Sequence, residues 1–274
     1  MPIVVISRLS YTSGEAIAQN VASQLGYECI DQEVFQDASQ RSQMPLEKIR
    51  KAFYGAPSLF GTSLADRKRS IAHVQAALSA RFLKDNVVFH GPFGHLLIKG
   101  VSHVMTVRIL ASKEDRIALK VKSEGCSSKE AEKAISRDDK QRLSMAREVF
   151  GADDDDSKSF NLMINTSEVD VDTAVRTIAE TVNHERYRPM TYSLQFMKDL
   201  ELSCRLKASL VDLDPDVAVQ ARKGDVRIRT KVSGRAKEKR LREIQRRTEG
   251  QDGVTVVEIE AVTDLADLID RRSL

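Results

Sequence analysis

Tryptophan is absent from the 274 residues, and aromatic side chains together make up only 5%. That is too few for the stacking platform of a single-stranded nucleic-acid binder. Cysteine is almost as scarce: Cys29, Cys126 and Cys204 lie far apart, odd in number and without CxxC spacing. A disulfide framework and a thiolate zinc site are therefore not expected, and a reducing cytoplasm is the simplest setting. No stretch approaches the roughly 18 apolar residues of a membrane helix. The opening Met1-Pro2-Ile3-Val4-Val5-Ile6-Ser7 has no basic n-region and does not read as a signal peptide. The five histidines show no H-E-x-x-H spacing and there is no G-x-S-x-G elbow. Neither a metal site of that kind nor a hydrolase triad is expected.

What is present is charge. Charged residues make up 30% and hydrophobic ones 41%, a balance typical of globular chains. The net charge of +3 conceals an asymmetry: residues 1–185 carry 24 basic against 25 acidic side chains, and residues 186–274 carry 19 against 15. Between Arg222 and Arg247 there are twelve basic and three acidic residues. Such a run either keeps a small domain solvated or attracts an anionic surface or partner.

Apolar periodicity divides the chain. Over residues 1–185 short β-branched runs alternate with helical patterns, with strands expected at Ile3–Ser7, Tyr27–Ile30, Asn86–His90, His103–Ala111 and Phe160–Asn165. A mostly helical insert is expected from Gln32 to Lys84. This alternation predicts an α/β fold, a parallel sheet with helices on both faces. Over residues 189–274 the expected order is helix (Ser193–Leu210), two strands (Asp216–Ala221, Asp225–Val232), a basic helix (Gly234–Thr248) and a last strand (Gly253–Ala261). That is a small α+β unit of order αββαβ.

The first strand leads into Ser7-Arg8-Leu9-Ser10-Tyr11-Thr12-Ser13-Gly14 and then a helix. This is the setting in which main-chain N–H groups and a helix N-terminus cradle phosphate. The G-x-x-x-x-G-K-[ST] pattern is not present, and an ordinary Ser/Thr-rich turn capping the helix is the alternative. The loop, followed by "LGYECID", "VRILASKEDRIALKVKSEGCSSKEAEKAISRDDKQR" and "LMINTSEVDVDTAV", resembles the cytidylate-kinase-like branch of nucleoside monophosphate kinases over about residues 2–183. The loop of that branch reads like S-R-x-x-G-S-G-G. Ser7, Arg8 and Gly14 match it, Thr12 is a conservative match, and Tyr11 and Ser13 stand where the family has glycines.

The resemblance implies a P-loop kinase-like domain over residues 1–185 that binds ATP with Mg2+ through Ser7, Arg8, Thr12, Ser13 and Gly14. It also implies phosphoryl transfer to a pyrimidine nucleoside monophosphate. The R-D-x-x-x-R cluster Arg137, Asp138 and Arg142 would lie on a lid helix, its guanidiniums flanking the polyphosphate, with Lys140 as a further donor; the alternative is a set of surface ion pairs. Asp31 follows the second strand, where the family has an acidic residue near the monophosphate; it would orient an acceptor group or cap the next helix. In His90-Gly91-Pro92-Phe93-Gly94, Pro92 occupies the place of an arginine that reaches substrate phosphate in many relatives, and proline offers neither charge nor donor.

The second unit, residues 189–274, resembles a BON domain in its apolar helix, in Gly224-Asp225-Val226-Arg227-Ile228-Arg229-Thr230 and in Gly253-Val254-Thr255-Val256-Val257. The resemblance implies a binding module, for anionic phospholipid or a protein, with a peripheral place at the inner membrane surface and no specific nucleic acid. Three readings follow: a nucleotide-phosphorylating enzyme, a weakly catalytic nucleotide sensor, and a membrane- or protein-binding adaptor.

Overall fold

The computed structural model describes residues 2–55, 62–231 and 237–262. Five strands, β1 (Ile3–Arg8), β2 (Glu28–Ile30), β3 (Val87–His90), β4 (Val104–Leu110) and β5 (Leu162–Asn165), form one parallel sheet in the order β2-β3-β1-β4-β5. Ile3, Val4, Val5 and Ile6 are all fully buried, as a central parallel strand covered on both faces requires. On one face lie α1 (Gly14–Leu25) and α8 (Val171–Val182), which place Ile17, Val21 and Ile178 against Val4, Ile6 and Val107. The other face is covered by the insert, which consists of α2 (Glu33–Ser42), α3 (Leu46–Tyr54) and α4 (Leu64–Phe82). Phe35, Phe53, Leu78 and Phe82 pack there with Val5 and Phe89.

A short α5 (Gly94–Leu97) escapes the sequence pattern, because it is entered through Phe93 in the left-handed region at φ 59°. No side chain can take the place of Gly94, since an added Cβ would lie 2.7 Å from Val5 Cγ1 and from Phe89 Cε1. Then come α6 (Lys113–Glu124) and α7 (Ser128–Phe150). Ser112 accepts the Asp115 N–H to start α6, and Ser127 with Glu130 closes a reciprocal capping box on α7.

The C-terminal part has the expected order: α9 (Thr191–Leu210), β6 (Ala218–Arg222), β7 (Asp225–Lys231), α10 (Lys237–Thr248) and β8 (Val256–Val262). The start expected for the basic helix, near Gly234, lies outside the described residues. β6 and β7 are an antiparallel hairpin, and β8 pairs parallel to β7. The hairpin turn puts Lys223 at φ 51° and Gly224 at φ 92°, the two positive angles that a two-residue turn matched to strand twist demands. β7 alternates cleanly: Val226, Ile228 and Thr230 face in, and Arg227 and Arg229 face out. Leu202, Leu206 and Leu210 of α9 complete this second core with Ile244 of α10.

Helix α9 serves both cores. Its first half buries Met197 in the core of the parallel sheet and runs against α4, while its second half carries the leucines of the small sheet. Lys68 of α4 also pairs with Asp216 just ahead of β6. Truncating Leu206→Ala, at 1% exposure, is expected to cost about 2–5 kcal/mol of the small sheet's stability. Urea unfolding followed by circular dichroism checks this.

Candidate functional site

In an open parallel sheet the ligand crevice opens at the carboxyl ends of the strands, where successive connections leave a strand in opposite directions. Here that place is the end of β1. The segments leaving β1, β2 and β3 line a cleft of about 250 Å³ with Arg8 and Ser10, Asp31 and Gln32, and Gly91, Pro92 and Phe93. Phe53, Tyr54 and Gly55 close one side, and Asp138, Asp139, Gln141 and Arg142 of α7 close the other.

Beneath the cleft lies a buried ion cluster. Arg108 on β4, at 1% exposure, donates to Asp154 Oδ2 at 3.0 Å, to Asp155 Oδ1 at 2.8 Å and to Ser7 Oγ at 3.0 Å. Arg142 donates to the same Asp154 oxygen, to Ser7 Oγ at 2.7 Å and to the Arg8 carbonyl. Burial acts to raise the Asp154 pKa, but the two guanidiniums outweigh it and hold the carboxyl below its usual range. His95 Nε2 lies 3.5 Å from Asp154 Oδ1, and burial drives its pKa down to about 3. Of the four adjacent aspartates 153–156, Asp154 is fully buried. No local pattern says which of four adjacent aspartates turns inward.

The loop after β1 is braced from within and from α6. Thr12 is buried, donates to the Leu9 carbonyl at 3.0 Å and accepts the Gly14 N–H at 3.4 Å. Ser13 stands ahead of α1 but makes no side-chain cap bond. Gly14 is required by Arg8, whose Cδ would lie 2.7 Å from an added Cβ. Tyr11 sits in the left-handed region at φ 57° and reaches over to α6. There its hydroxyl donates to Glu124 and accepts from Lys120 Nζ at 2.6 Å, with that ammonium 4.2 Å from the ring centroid. Bonding to Glu124 and Tyr11 holds the Lys120 pKa above its usual value. Arg116, one turn earlier, donates to the Ser10 carbonyl at 2.9 Å and clamps Asp139 at 2.7 and 2.9 Å.

The structure thus gathers Ser7, Arg8, Asp31, Asp138 and Arg142 at or under one cleft, with Thr12, Ser13 and Gly14 shaping the loop beside it. Arg137 and Lys140 are exposed and lie outside the lining; Arg137 meets Asp138 at 3.6 Å. Asp31 makes no cap on α2, and its own N–H donates to Glu33 Oε2 at 2.9 Å. Sequence reasoning missed Arg108, Arg116, Lys120, Asp139 and Asp154, all of which act through contacts distant in sequence. The only available hint was the i, i+4 pair of Arg116 and Lys120 on one face of α6. Among the described residues no group of three His, Cys, Asp or Glu side chains could hold a metal ion.

A parallel sheet of order β2-β3-β1-β4-β5, with a Ser/Thr-rich loop running from its central strand into a helix and a cleft at that strand's end, defines a kinase-like nucleotide-binding fold. The chain belongs to the cytidylate kinase-like family, whose model matches residues 3–168. An uncharacterized protein from Eubacterium ventriosum is similar in fold, with a TM-score of 0.52 at 16% identity, over 66% of this chain and 98% of that one. A shikimate kinase from Bacteroides thetaiotaomicron aligns over 67% of this chain and 99% of its own, at 11% identity and a TM-score of 0.43. No curated protein matches the chain.

The buried histidine generates a prediction. His95 titrates far below its unfolded value of about 6.5, so the unfolded chain takes up a proton that the folded one refuses. Stability therefore falls as pH drops from about 6.5 towards about 3. His95→Gln is expected to flatten this fall between pH 6.5 and 4, measured as urea midpoints at half-unit pH steps.

Proposed function

We propose that the chain is a phosphotransferase that takes its phosphoryl group from ATP bound with Mg2+ at the loop following β1. The observation that carries this reading is the cleft itself. It joins the end of the central strand and Ser10 of the loop after it, the segments leaving β2 and β3, and helix α7 in one concavity. Thr12 and Gly14 give the loop its shape, while Lys120 and Arg116 bring cations from α6 to a loop that has no lysine of its own. Magnesium commonly binds through substrate phosphates with one or two carboxylates. Asp138 of α7 is a carboxylate placed to take that part, since it lines the cleft. Fixed cations and a bridging metal stabilise charge on the transferring group.

The pyrimidine monophosphate acceptor expected from the family depends on cations that would hold its phosphate, and Pro92 supplies none. Residues 1–185 and 189–274 are read as two units joined through α9. The second is read as a BON-like binding module, supported by its order α9-β6-β7-α10-β8. Anionic phospholipid as its ligand rests on the basic run. Much of that run is internally paired, however: Arg227 with Glu258, Arg229 with Glu260, and Arg246 and Arg247 with Glu243. No helix among the described residues is long and apolar enough to cross a membrane.

Calorimetric titration of the full chain with Mg·ATP tests the reading, and saturable binding is expected. Lys120→Gln removes one charged donor beside the loop and is expected to weaken binding by about tenfold, as losing a hydrogen bond from a charged group typically does. Undiminished affinity would mean that Lys120 serves only to hold Tyr11.

A further inference from the structure

We infer that Arg50 and Tyr54 of α3 hold the phosphate of the acceptor, so that the helical insert supplies the anion contact that Pro92, after β3, does not. The inference rests on the phosphotransferase reading above and names the residues that select a phosphomonoester acceptor.

The first ground is placement. Arg50 and Tyr54 stand four residues apart on α3 and so share one face of the helix. Tyr54 lines the cleft, and so does Gln32, whose side-chain oxygen accepts from Arg50 Nη2 at 3.0 Å. Arg50 is thereby held at the acceptor end, tied to one lining residue and a turn away from another. Tyr54 is 54% exposed, and among the described residues its hydroxyl has no hydrogen-bond partner. Burial pushes the pKa of that hydroxyl up to about 12 and Asp31 pushes the same way, while Arg8, Arg50 and Arg142 act against them. The hydroxyl therefore keeps its proton at neutral pH, and guanidiniums of β1, α3 and α7 all act on it.

The second ground is charge. Each of the three carboxylates lining the cleft already faces a cation. Arg116 clamps Asp139 at 2.7 and 2.9 Å, and Arg137 meets Asp138 at 3.6 Å. Burial raises the Asp31 pKa, with His90 and Arg8 acting against the rise. Arg142 is committed to Asp154, Ser7 and the Arg8 carbonyl. Arg50 is tied only loosely, to the neutral Gln32 amide and to Glu47, an 85% exposed carboxylate 3.6 Å away. Its Nε is buried without a partner. A guanidinium with donors to spare presents a planar fork that matches phosphate. A phosphomonoester carries about −1.5 to −2 charges at neutral pH, and Arg50 is the countercharge.

The third ground is the setting of α3. Tyr54 is its last residue, and the carboxyl end of a helix carries a partial negative charge that disfavours an anion. Arg67 of α4 removes that obstacle. It is 2% exposed and donates to the carbonyls of Ala52 at 3.3 Å and Gly55 at 2.9 Å, with Met145 Sδ of α7 at 3.2 Å. No carboxylate among the described residues pairs with it, and residues 56–61, Ala-Pro-Ser-Leu-Phe-Gly, carry no charge. The terminal carbonyls are thus occupied, and a positive charge stands behind Tyr54. The Tyr54 ring is set edge-on to Phe35, with centroids 6.0 Å apart.

The test is steady-state transfer by the full chain from Mg·[γ-32P]ATP to CMP, dCMP, UMP, AMP or GMP, with each matching nucleoside as the uncharged counterpart. Wild type is expected to phosphorylate at least one monophosphate and none of the nucleosides. Arg50→Gln is expected to raise the KM for that monophosphate about tenfold or more, as loss of a hydrogen bond to a charged group does. The effect falls on this KM, while kcat and the KM for Mg·ATP change far less. Arg50→Lys keeps the charge without the fork and is expected to recover part of the loss. Tyr54→Phe is expected to raise the same KM severalfold, and it serves as a second variant should Arg50→Gln unfold in urea at a lower midpoint. An unchanged monophosphate KM in Arg50→Gln and Tyr54→Phe overturns the inference. So does a loss confined to kcat, no recovery by lysine, transfer to a nucleoside, or Mg·ATP binding with transfer to no monophosphate. Absence of Mg·ATP binding would instead overturn the underlying phosphotransferase reading.

Discussion

One buried carboxylate organises the site. Asp154 is fully enclosed and pairs with two guanidiniums, one from the sheet and one from α7, and both also reach Ser7 at the end of β1. Taking these charges out of water costs several kcal/mol per ion, and only mutual attraction with well-placed hydrogen bonds offsets that. Removing either partner would strand the other, so the cluster behaves as a unit. Its consequence is geometric: β1, β4, α7 and the connection to β5 are tied to one point directly under the cleft. Helix α7 thereby meets the loop after β1 at a defined place.

The loop itself is made rigid by different means. Glycines in such loops let the backbone approach an anion closely. Here Tyr11 takes a left-handed conformation without glycine's freedom, a strain of the order of 1 kcal/mol or more offset by its bonds to Lys120 and Glu124. Arg116 adds a second tie from α6 to the main chain at Ser10 and a third to Asp139 of α7. Helix α6 is thus the post against which both that loop and α7 are set.

The second unit is joined by sharing rather than by a linker. Because α9 buries Met197 in one core and Leu206 in the other, the small sheet cannot turn freely about that helix without opening apolar surface. Its basic run is also quieter than its composition implies. Parallel pairing of β7 with β8 sets Arg227 opposite Glu258 and Arg229 opposite Glu260, and exposed pairs of this kind contribute little stability while cancelling much of the local field.

Alternating apolar runs were enough to determine the element order. Buried parallel strands are continuous apolar segments, and amphipathic helices repeat near 3.6 residues, so β1 through β5 and α9 through β8 were legible to within a few residues. The loop motif marked the end of β1, and Asp31, Arg8, Asp138 and Arg142, each singled out in the sequence, line the cleft there. Tertiary structure alone decided which of them converge. Arg137 and Arg142 are five residues apart, about 500° around a helix at 3.6 residues per turn, so one faces water and the other the loop. Asp154 and its three acidic neighbours are chemically alike, and only the position of Arg108, forty-six residues earlier on β4, selects the one that is buried. Charge attraction acts through space and leaves no period in the chain, which is why the ion cluster emerges only when the fold brings β1, β4, α7 and the segment before β5 together.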